Sequence, residues 1–173
     1  MPYRLDSNDQ VFCYMDEFYC LSNFSAFRLI WRGRDFDTSE AAYQSEKFIE
    51  HWSIFKLIHD ARSAHEAFKI AEHYKDQVYP GWHDIKIEIM KKILKAKINQ
   101  HKYVLKKLMD TGHRTIIEDS WRDSFWGWGP NKNGKNMLGI LWMEIRNELK
   151  LNINDTIRKT GCQYSTNSPP VAS

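Results

Sequence analysis

The stretch that decides the fold is residues 37–48, DTSEAAYQSEKF, which predicts the first helix of the chain. Asp37 or Thr38 is expected to cap it, since Glu40 follows Asp37 at the three-residue distance of a capping box. Positions 40, 43, 44 and 47 repeat at the spacing of one helix face. That face therefore carries an acid, a phenol, an amide and an amine: Glu40, Tyr43, Gln44 and Lys47. The pattern is typical of a catalytic surface.

A second polar stretch, residues 123–139 (DSFWGWGPNKNGKNMLG), precedes the last predicted helix. It lacks the GxxxxGK[ST] pattern of a P-loop. Its backbone N–H groups, helped by Lys132 or Lys135, could hold a phosphate at the helix start, but an ordinary turn-rich connection is equally compatible. Asp123, which opens the stretch, is either a turn cap or a functional acid.

Each of the possible catalytic residues also has an ordinary structural interpretation. Glu40 could stabilise the helix N-terminus and Lys47 could be a surface lysine. A helix N-terminus lowers the pKa of a carboxyl group, so we expect Glu40 to act as a base or cation stabiliser rather than as an acid. Aromatic surroundings would lower the pKa of Lys47, as a nucleophilic amine requires. Glu40 and Asp123 together would form the pair of carboxylates used in glycosidic chemistry.

The bulk composition predicts one globular α+β domain, mainly helical, with a few short strands. The chain has 173 residues, 42% of them hydrophobic and 27% charged. We assign residues 1–151 to the domain and residues 152–173 to a flexible tail. Strands are expected between residues 10 and 36, around a hairpin turn at 32–35, and at 114–119. Helices are expected from the cap to about 51, and at 53–60, 64–74, 84–100, 102–109 and 136–149, the fourth presenting Ile85, Ile89, Ile93 and Ala96 on one face.

Charge and cysteine content limit the class of protein. The net charge of +3 is too small for wrapping nucleic acid, and the basic residues between 86 and 107 form either a solvated helix face or a surface for an anionic partner. Three cysteines without CxxC spacing fit free thiols in a reducing, cytoplasmic or otherwise intracellular compartment. The seven histidines show no metal-binding spacing, so we expect neither metal nor cofactor. No apolar run reaches membrane-spanning length.

Several separated motifs together are similar to the NADAR superfamily, the YbiA-like N-glycosidases, over about residues 11–150. In chain order they are Leu21-Ser22-Asn23-Phe24, Thr38-Ser39-Glu40, Tyr43-Gln44, Lys47-Phe48, Trp82, Lys95-Ala96-Lys97, Ile117-Glu118, Asp123, Phe125-Trp126-Gly127, Gly134-Lys135-Asn136, Leu138-Gly139, and Leu141, Met143 and Arg146. The Trp128-Gly129-Pro130 segment differs from the commoner, shorter Gly-rich version.

The resemblance implies a compact, mainly helical α+β fold and hydrolysis of an N-glycosidic bond. It places catalytic residues at Glu40, Lys47 and Asp123. It places substrate contacts at Trp82, Trp126 and Asn136, with Asn23 near the pocket. The residues themselves add Tyr43, Gln44, Gly127 and Lys135 as candidate substrate contacts, and Trp82 or Trp126 could stack on a base.

Three functions follow as hypotheses from this resemblance. The first is removal of ADP-ribose from guanine in DNA, RNA or a nucleotide. The second is cleavage of the ribosylamino-pyrimidine phosphate intermediates of riboflavin biosynthesis, and the third is a non-catalytic ADP-ribose-binding module. An acid and an amine on one helix face favour an enzyme over a binding module. Either Lys47 attacks the sugar to give a Schiff base, or a carboxylate activates water.

Overall fold

The computed structural model describes residues 6–14 and 16–161, with side chains up to residue 159. The mainly helical α+β class is confirmed. The strands are β1 Gln10–Phe12, β2 Leu29–Trp31, β3 Arg34–Phe36 and β4 Thr115–Ile117. The α-helices are α1 Ser39–Glu46, α2 Trp52–His59, α3 Ala64–His73, α4 Trp82–Gln100, α5 Lys102–Asp110 and α6 Met137–Gly161. Short 3-10 helices cover Asp16–Leu21 and Lys75–Gln77.

The strands form two small ladders. β1 pairs in parallel with β4, with Val11 opposite Ile116. β2 and β3 form the expected hairpin, whose turn residues Arg32 and Gly33 both have positive φ (48° and 76°), as a type I′ turn requires. The strand expected around Phe18 is wrong, because that segment is a 3-10 helix. Its neighbours Cys20 and Leu21 are both buried, which the alternating faces of a half-buried strand do not allow.

The first helix is polar and yet lies in the interior. All eight residues of α1 are buried, because α2, α3 and α4 pack around it. Thr38 rather than Asp37 is the N-cap, and its Oγ1 accepts a hydrogen bond from the Ala41 N–H at 3.1 Å. The helix ends at Glu46, earlier than the sequence predicts, since the Lys47 N–H already turns back to Gln44 O. A polar helix so deeply buried must have its polar groups hydrogen-bonded or committed to a ligand.

The long helix α4 buries a different face from the one expected. It begins at Trp82, directly after Gly81 at φ 86°. The buried stripe is Trp82, Ile89, Met90, Ile93, Leu94, Lys97 and Ile98, which leaves Ile85 exposed and Ala96 half-buried.

The basic residues that follow on α4 and α5 are largely paired with acids. Lys91 pairs with Glu144 and Glu148, and Lys95 also pairs with Glu148. Lys106 and Lys107 pair with Asp110 and Glu17. This pairing favours the solvated-face interpretation over a surface that binds an anionic partner.

The last helix, α6, anchors the domain and then continues beyond it. Trp142 Nε1 donates to Leu21 O at 2.8 Å, and the Arg146 guanidinium donates to Thr111 Oγ1 at 2.7 Å. The sequence predicts an end at residue 149, but α6 runs to Gly161. Within the described residues, no helix is both long and apolar enough to cross a bilayer.

Removal of residues 160–173 is expected to leave catalytic activity within about twofold of the full chain, since exposed chain ends tolerate truncation. Every side chain from 151 to 159 is exposed, so the helix before the cut does not support the core. Activity and the melting temperature of the two chains measure this directly. A large loss of either would show that the C-terminal segment docks on the domain. The division at residue 151/152 stays a prediction.

Candidate active site

The floor of the site is the carboxyl group of Glu40. Its Oε1 accepts a hydrogen bond from Gln44 Nε2 at 2.7 Å, and its backbone N–H donates to Asn23 O at 3.1 Å. Burial raises the pKa of Glu40 to about 7, although Gln44 and Lys47 act to lower it. The expectation of a lowered pKa is therefore wrong, because desolvation outweighs the helix terminus. A carboxyl group with this pKa can donate or accept a proton near neutral pH.

Lys47 lies on the same face as Glu40, about two helical turns further along the chain. Its ammonium lies 5.4 Å from the centre of the Tyr43 ring. Burial lowers the pKa of Lys47, the neighbouring Glu40 and Glu72 raise it, and Lys86 lowers it. The direction confirms the expectation for this residue. A lowered pKa leaves more of the amine uncharged, which is the form that attacks carbon.

Asp123 combines the two alternatives that the sequence left open. Its Oδ1 accepts hydrogen bonds from the N–H groups of Phe125 (2.7 Å) and Trp126 (2.8 Å), so it caps a turn. Its charge also raises the pKa of Glu40, so the two carboxyl groups are close enough to interact. Asp123 thus positions the Phe125–Trp126 corner and adds negative charge to the site.

Aromatic side chains form the walls, and they differ in what they can contact. The Tyr43 ring lies 5.2 Å from Trp82 and 5.4 Å from Trp126, measured between ring centres. Trp82 is only 2% exposed, so of the two tryptophans the burial favours Trp126 as the ring that stacks on a substrate base. Trp82 supports Tyr43 from below. Trp126 is half-buried and keeps accessible ring surface for stacking.

The loop after Trp126 does not form the phosphate cradle considered for it. The N–H groups of 135–138 are already bonded, in order, to the carbonyl oxygens of Ser124, Gly127, Phe125 and Trp126. Gly127 is buried, and a Cβ there would lie 2.7 Å from Glu118 O, so the close packing requires glycine. Donors committed in this way cannot turn to a ligand, so a phosphate at the start of α6 would be held by side chains.

Asn136 holds this loop to the sheet instead of facing a ligand. Its Oδ1 accepts from the Glu118 N–H at 2.9 Å, and its Nδ2 donates to Ile116 O at 2.8 Å. Both ends of the amide are therefore committed to the end of β4. Asn136 and Gly127 therefore shape the loop in this structure, and their assignment as substrate contacts stays a prediction.

Two lysines meet at the ring of Phe125. Lys86 Nζ lies 3.9 Å and Lys135 Nζ 5.4 Å from its centre. Lys135 was expected at the site, whereas Lys86 was grouped with the basic residues of 86–107, whose face was left open between solvent and an anionic partner. The position of Lys86, four residues after Trp82, could have placed it on the side of the site. Together with Lys47, these residues bring three amines to the site, beside the acids Glu40 and Asp123.

Two further buried ionisable groups were not expected at the site from the sequence. Glu118 Oε2 accepts a hydrogen bond from Cys13 Sγ at 3.0 Å, and burial raises the pKa of Glu118 to about 7, with Glu40 raising it further. Lys97 donates to Ser22 O (2.9 Å) and Ser25 Oγ (2.8 Å), and burial lowers its pKa to about 7. The sequence did offer one indication of Glu118, since this acid directly follows the strand β4.

Buried polar atoms without partners gather around Glu40. Asn23 Oδ1, Ser39 Oγ and Gln44 Oε1 are buried and have no hydrogen-bond partner among the described residues. A buried polar atom left unpaired costs roughly 1–3 kcal/mol, so three beside one carboxyl group are typical of a site that a ligand completes. Within the same part of the chain, no group of three or more His, Cys, Asp or Glu side chains could hold a metal ion.

Comparisons with known proteins cover the part of the chain that contains this site. The family model described as NADAR domain matches residues 11–150. The chain is 31% identical to N-glycosidase YbiA of Shigella boydii serotype 4 (strain Sb227), over 79% of this chain and 84% of that protein. It is 34% identical to N-glycosidase Npun_R5314 of Nostoc punctiforme, over 76% and 85% of the two chains. The Vibrio vulnificus riboflavin biosynthesis protein VVA0006 is 32% identical over 75% of this chain but only 35% of its own length.

A solved structure also matches the fold. The NMR structure of the E. coli protein YbiA superposes with a TM-score of 0.76 at 28% identity, covering 86% of this chain and 89% of that one. The similarity therefore extends over the domain that carries Glu40, Lys47 and Asp123.

Proposed function

This chain belongs to the NADAR family and is an N-glycosidase, and we propose that its substrate is ADP-ribose attached to guanine. The observation that carries the proposal is the pairing of a buried carboxyl group, Glu40, with a partly buried amine, Lys47, on one face of α1. One group can protonate a leaving nitrogen while the other attacks the sugar carbon.

The proposed reaction begins at the bond that joins the anomeric carbon of ADP-ribose to a guanine nitrogen. Lys47 Nζ bonds to the anomeric carbon as the bond from that carbon to the guanine nitrogen breaks. The electron pair of the broken bond stays on the guanine nitrogen, and Glu40 donates a proton to that nitrogen. Opening of the sugar ring gives an imine, and addition of water then releases free ADP-ribose and the Lys47 amine. The rival pathway is direct attack by water that a carboxylate has activated.

Side chains around the site support recognition of a diphosphate. Lys86 and Lys135 both lie against the Phe125 ring, and their two ammonium groups suit the two phosphates of ADP-ribose. Trp126 offers the accessible ring for stacking on the base. The unpaired oxygens of Asn23 and Gln44 and the Ser39 hydroxyl could bond sugar or base.

Ribosylamino-pyrimidine phosphate is the second candidate substrate. Relatives named riboflavin biosynthesis protein, from Vibrio vulnificus and Zea mays, favour it. This chain covers 35% and 24% of those two proteins, so the remaining length of each has no counterpart here. A single phosphate would use one lysine of the Phe125 pair. The third hypothesis, a non-catalytic binding module, does not account for a buried acid beside an amine.

An intracellular location is part of the same proposal. Cys13 and Cys20 are buried free thiols, which a reducing compartment preserves. The third cysteine, Cys162, lies outside the described residues.

Chromatography of the products released from guanine-ADP-ribosylated DNA tests the substrate. The expected result is free ADP-ribose with the wild-type chain and a strong loss of release with both Glu40→Ala and Lys47→Ala. Turnover of ribosylamino-pyrimidine phosphate alone would replace the proposed substrate with the second candidate. Turnover of neither compound would overturn both substrate assignments.

A further inference from the structure

A second candidate binding surface lies on the other side of α1, between the β2–β3 hairpin and α2. This hairpin groove is lined by Trp31, Arg32, Arg34, Glu46, Trp52 and Phe55. We propose that it binds a nucleobase and the adjoining phosphate of the single strand that carries the modified guanine. The proposal rests on the proposed function, since it assumes that the substrate guanine belongs to a nucleic acid.

The groove offers a stacking platform. Trp52 is 61% exposed, and its ring stacks on Phe55 with 5.3 Å between centres and 14° between planes. An indole that is exposed on its outer face but held in place from behind is suited to stack on a base of any sequence.

A guanidinium without an acidic partner adjoins this platform. Arg34 lies 5.4 Å from the Trp52 ring and 5.2 Å from the Phe55 ring. Among the described residues, no carboxylate pairs with it at ion-pair distance. By contrast, Arg32 pairs with Glu46 at 3.0 Å, and Lys56 pairs with Asp60. The acids at the groove are therefore already neutralised, which leaves Arg34 to meet a phosphate.

The groove is preformed by the backbone and by buried contacts. The type I′ turn at Arg32–Gly33 fixes where the two strands diverge. Glu46 is buried and accepts a hydrogen bond from Trp31 Nε1 at 2.7 Å, so it locks the indole to α1. A rigid platform loses little entropy on binding, and this favours recognition of a flexible strand.

The size of the groove suits one ring rather than a complete ligand. It encloses about 190 Å³. Pockets that enclose a whole drug-sized molecule measure about 300–1,000 Å³. A single base fits the smaller volume while the strand continues into solvent.

Tyr79 connects the groove to the active site. Its ring lies 6.0 Å from the ring of Trp82, which supports Tyr43, and its backbone N–H donates to Lys47 O at 3.4 Å. The charges of Glu46 and Arg32 act on the same tyrosine, raising and lowering its pKa respectively, although burial is the main cause of the raised value. Tyr79 therefore lies between the groove and Lys47, and a strand bound in the groove would pass it to reach the active site.

Fluorescence anisotropy with a labelled, unmodified oligothymidylate of about ten nucleotides tests the groove, a length within the range that such sites cover. We expect Trp52→Ala to weaken binding about tenfold, the usual effect of removing one base–aromatic stack. Arg34→Gln should weaken binding and reduce its salt dependence, because one phosphate contact is lost. Tyr103→Ala, at an exposed aromatic beside Lys107 on α5, is the matched control and should bind as wild type.

Hydrolysis assays then separate this inference from the proposed function. Trp52→Ala should hydrolyse an ADP-ribosylated guanine mononucleotide at the wild-type rate but lose efficiency, through KM, on the modified oligonucleotide. Equal affinity of wild type, Trp52→Ala and Arg34→Gln for the oligothymidylate would overturn the groove, as would an equal loss in Tyr103→Ala. Absence of hydrolysis on both substrates would overturn the proposed function alone, since the anisotropy result would still stand.

Discussion

Glu40→Gln is expected to lower kcat by about 10²–10⁴-fold, the usual contribution of a general acid or base. Glutamine keeps the size of the side chain and can still hydrogen-bond Gln44, but it has no proton to transfer. The matched control is Glu46→Gln, a buried carboxyl group on the same helix that pairs with Arg32 and Trp31 on the opposite side. The kcat of Glu46→Gln on the ADP-ribosylated guanine mononucleotide should lie within about twofold of wild type, because Glu46 does not contribute to proton transfer.

The pH dependence gives an independent reading of the same residue. Because burial raises the pKa of Glu40 to about 7, its acid form is lost as the pH rises through that value. Lys47 requires the opposite change, since its free amine increases with pH, so wild-type kcat should follow a bell-shaped curve. The limb near pH 7 should vanish in Glu40→Gln. If Glu40→Gln kept both the wild-type kcat and the fall in kcat near pH 7, Glu40 would have no role in proton transfer.

Whereas Glu40→Gln is expected to lower kcat, it should raise the free energy of unfolding relative to wild type as the pH increases. A carboxyl group whose folded pKa lies above its ordinary value stabilises the fold below that ordinary value, and this contribution is lost as the pH rises through the folded pKa. Glutamine does not titrate. Urea unfolding should therefore show Glu40→Gln gaining on wild type between about pH 4.5 and about pH 7 and remaining ahead above it. Such a gain in stability with a loss of rate marks a residue kept for function.

Lys47→Arg is expected to abolish covalent catalysis and to reduce kcat on the order of 10³-fold or more, as removal of a nucleophile does. Arginine keeps a cation beside Tyr43 but cannot form an imine with the sugar. Borohydride added during turnover should attach the sugar to the wild-type chain, with the mass increase at Lys47, and leave Lys47→Arg unmodified. Lys92→Arg, at a surface lysine paired with Glu88, is the matched control and should label as wild type does.

Two outcomes would contradict the covalent pathway. Turnover of wild type in borohydride without any adduct would favour water activated by a carboxylate. Near wild-type kcat in Lys47→Arg would show that a positive charge is sufficient at this position. Neither outcome decides the role of Glu40, so the two variants test separate steps of the reaction.

Local patterns in the sequence predict a substantial part of this site. The shared face of Glu40, Tyr43, Gln44 and Lys47 follows from helical spacing alone, and the contact of Gln44 with Glu40 bears it out. The hairpin turn expected at 32–35 is an equally local feature, and it is present at Arg32–Gly33. Motif order was sufficient to identify the family. These features depend on neighbours within a few residues, which the sequence displays directly.

Only the tertiary structure decided how these groups behave. The pKa of Glu40 rises because α2, α3 and α4 exclude water from α1, and no spacing along residues 37–48 contains that information. Trp82 is covered, Lys86 reaches Phe125, and the loop N–H groups are committed, all through contacts between distant segments. The desolvation of a side chain and the identity of its hydrogen-bond partners depend on every segment that packs around it. The sequence by itself determined which chemical groups share a helix face, and the packing of distant helices determined their protonation and their access to substrate.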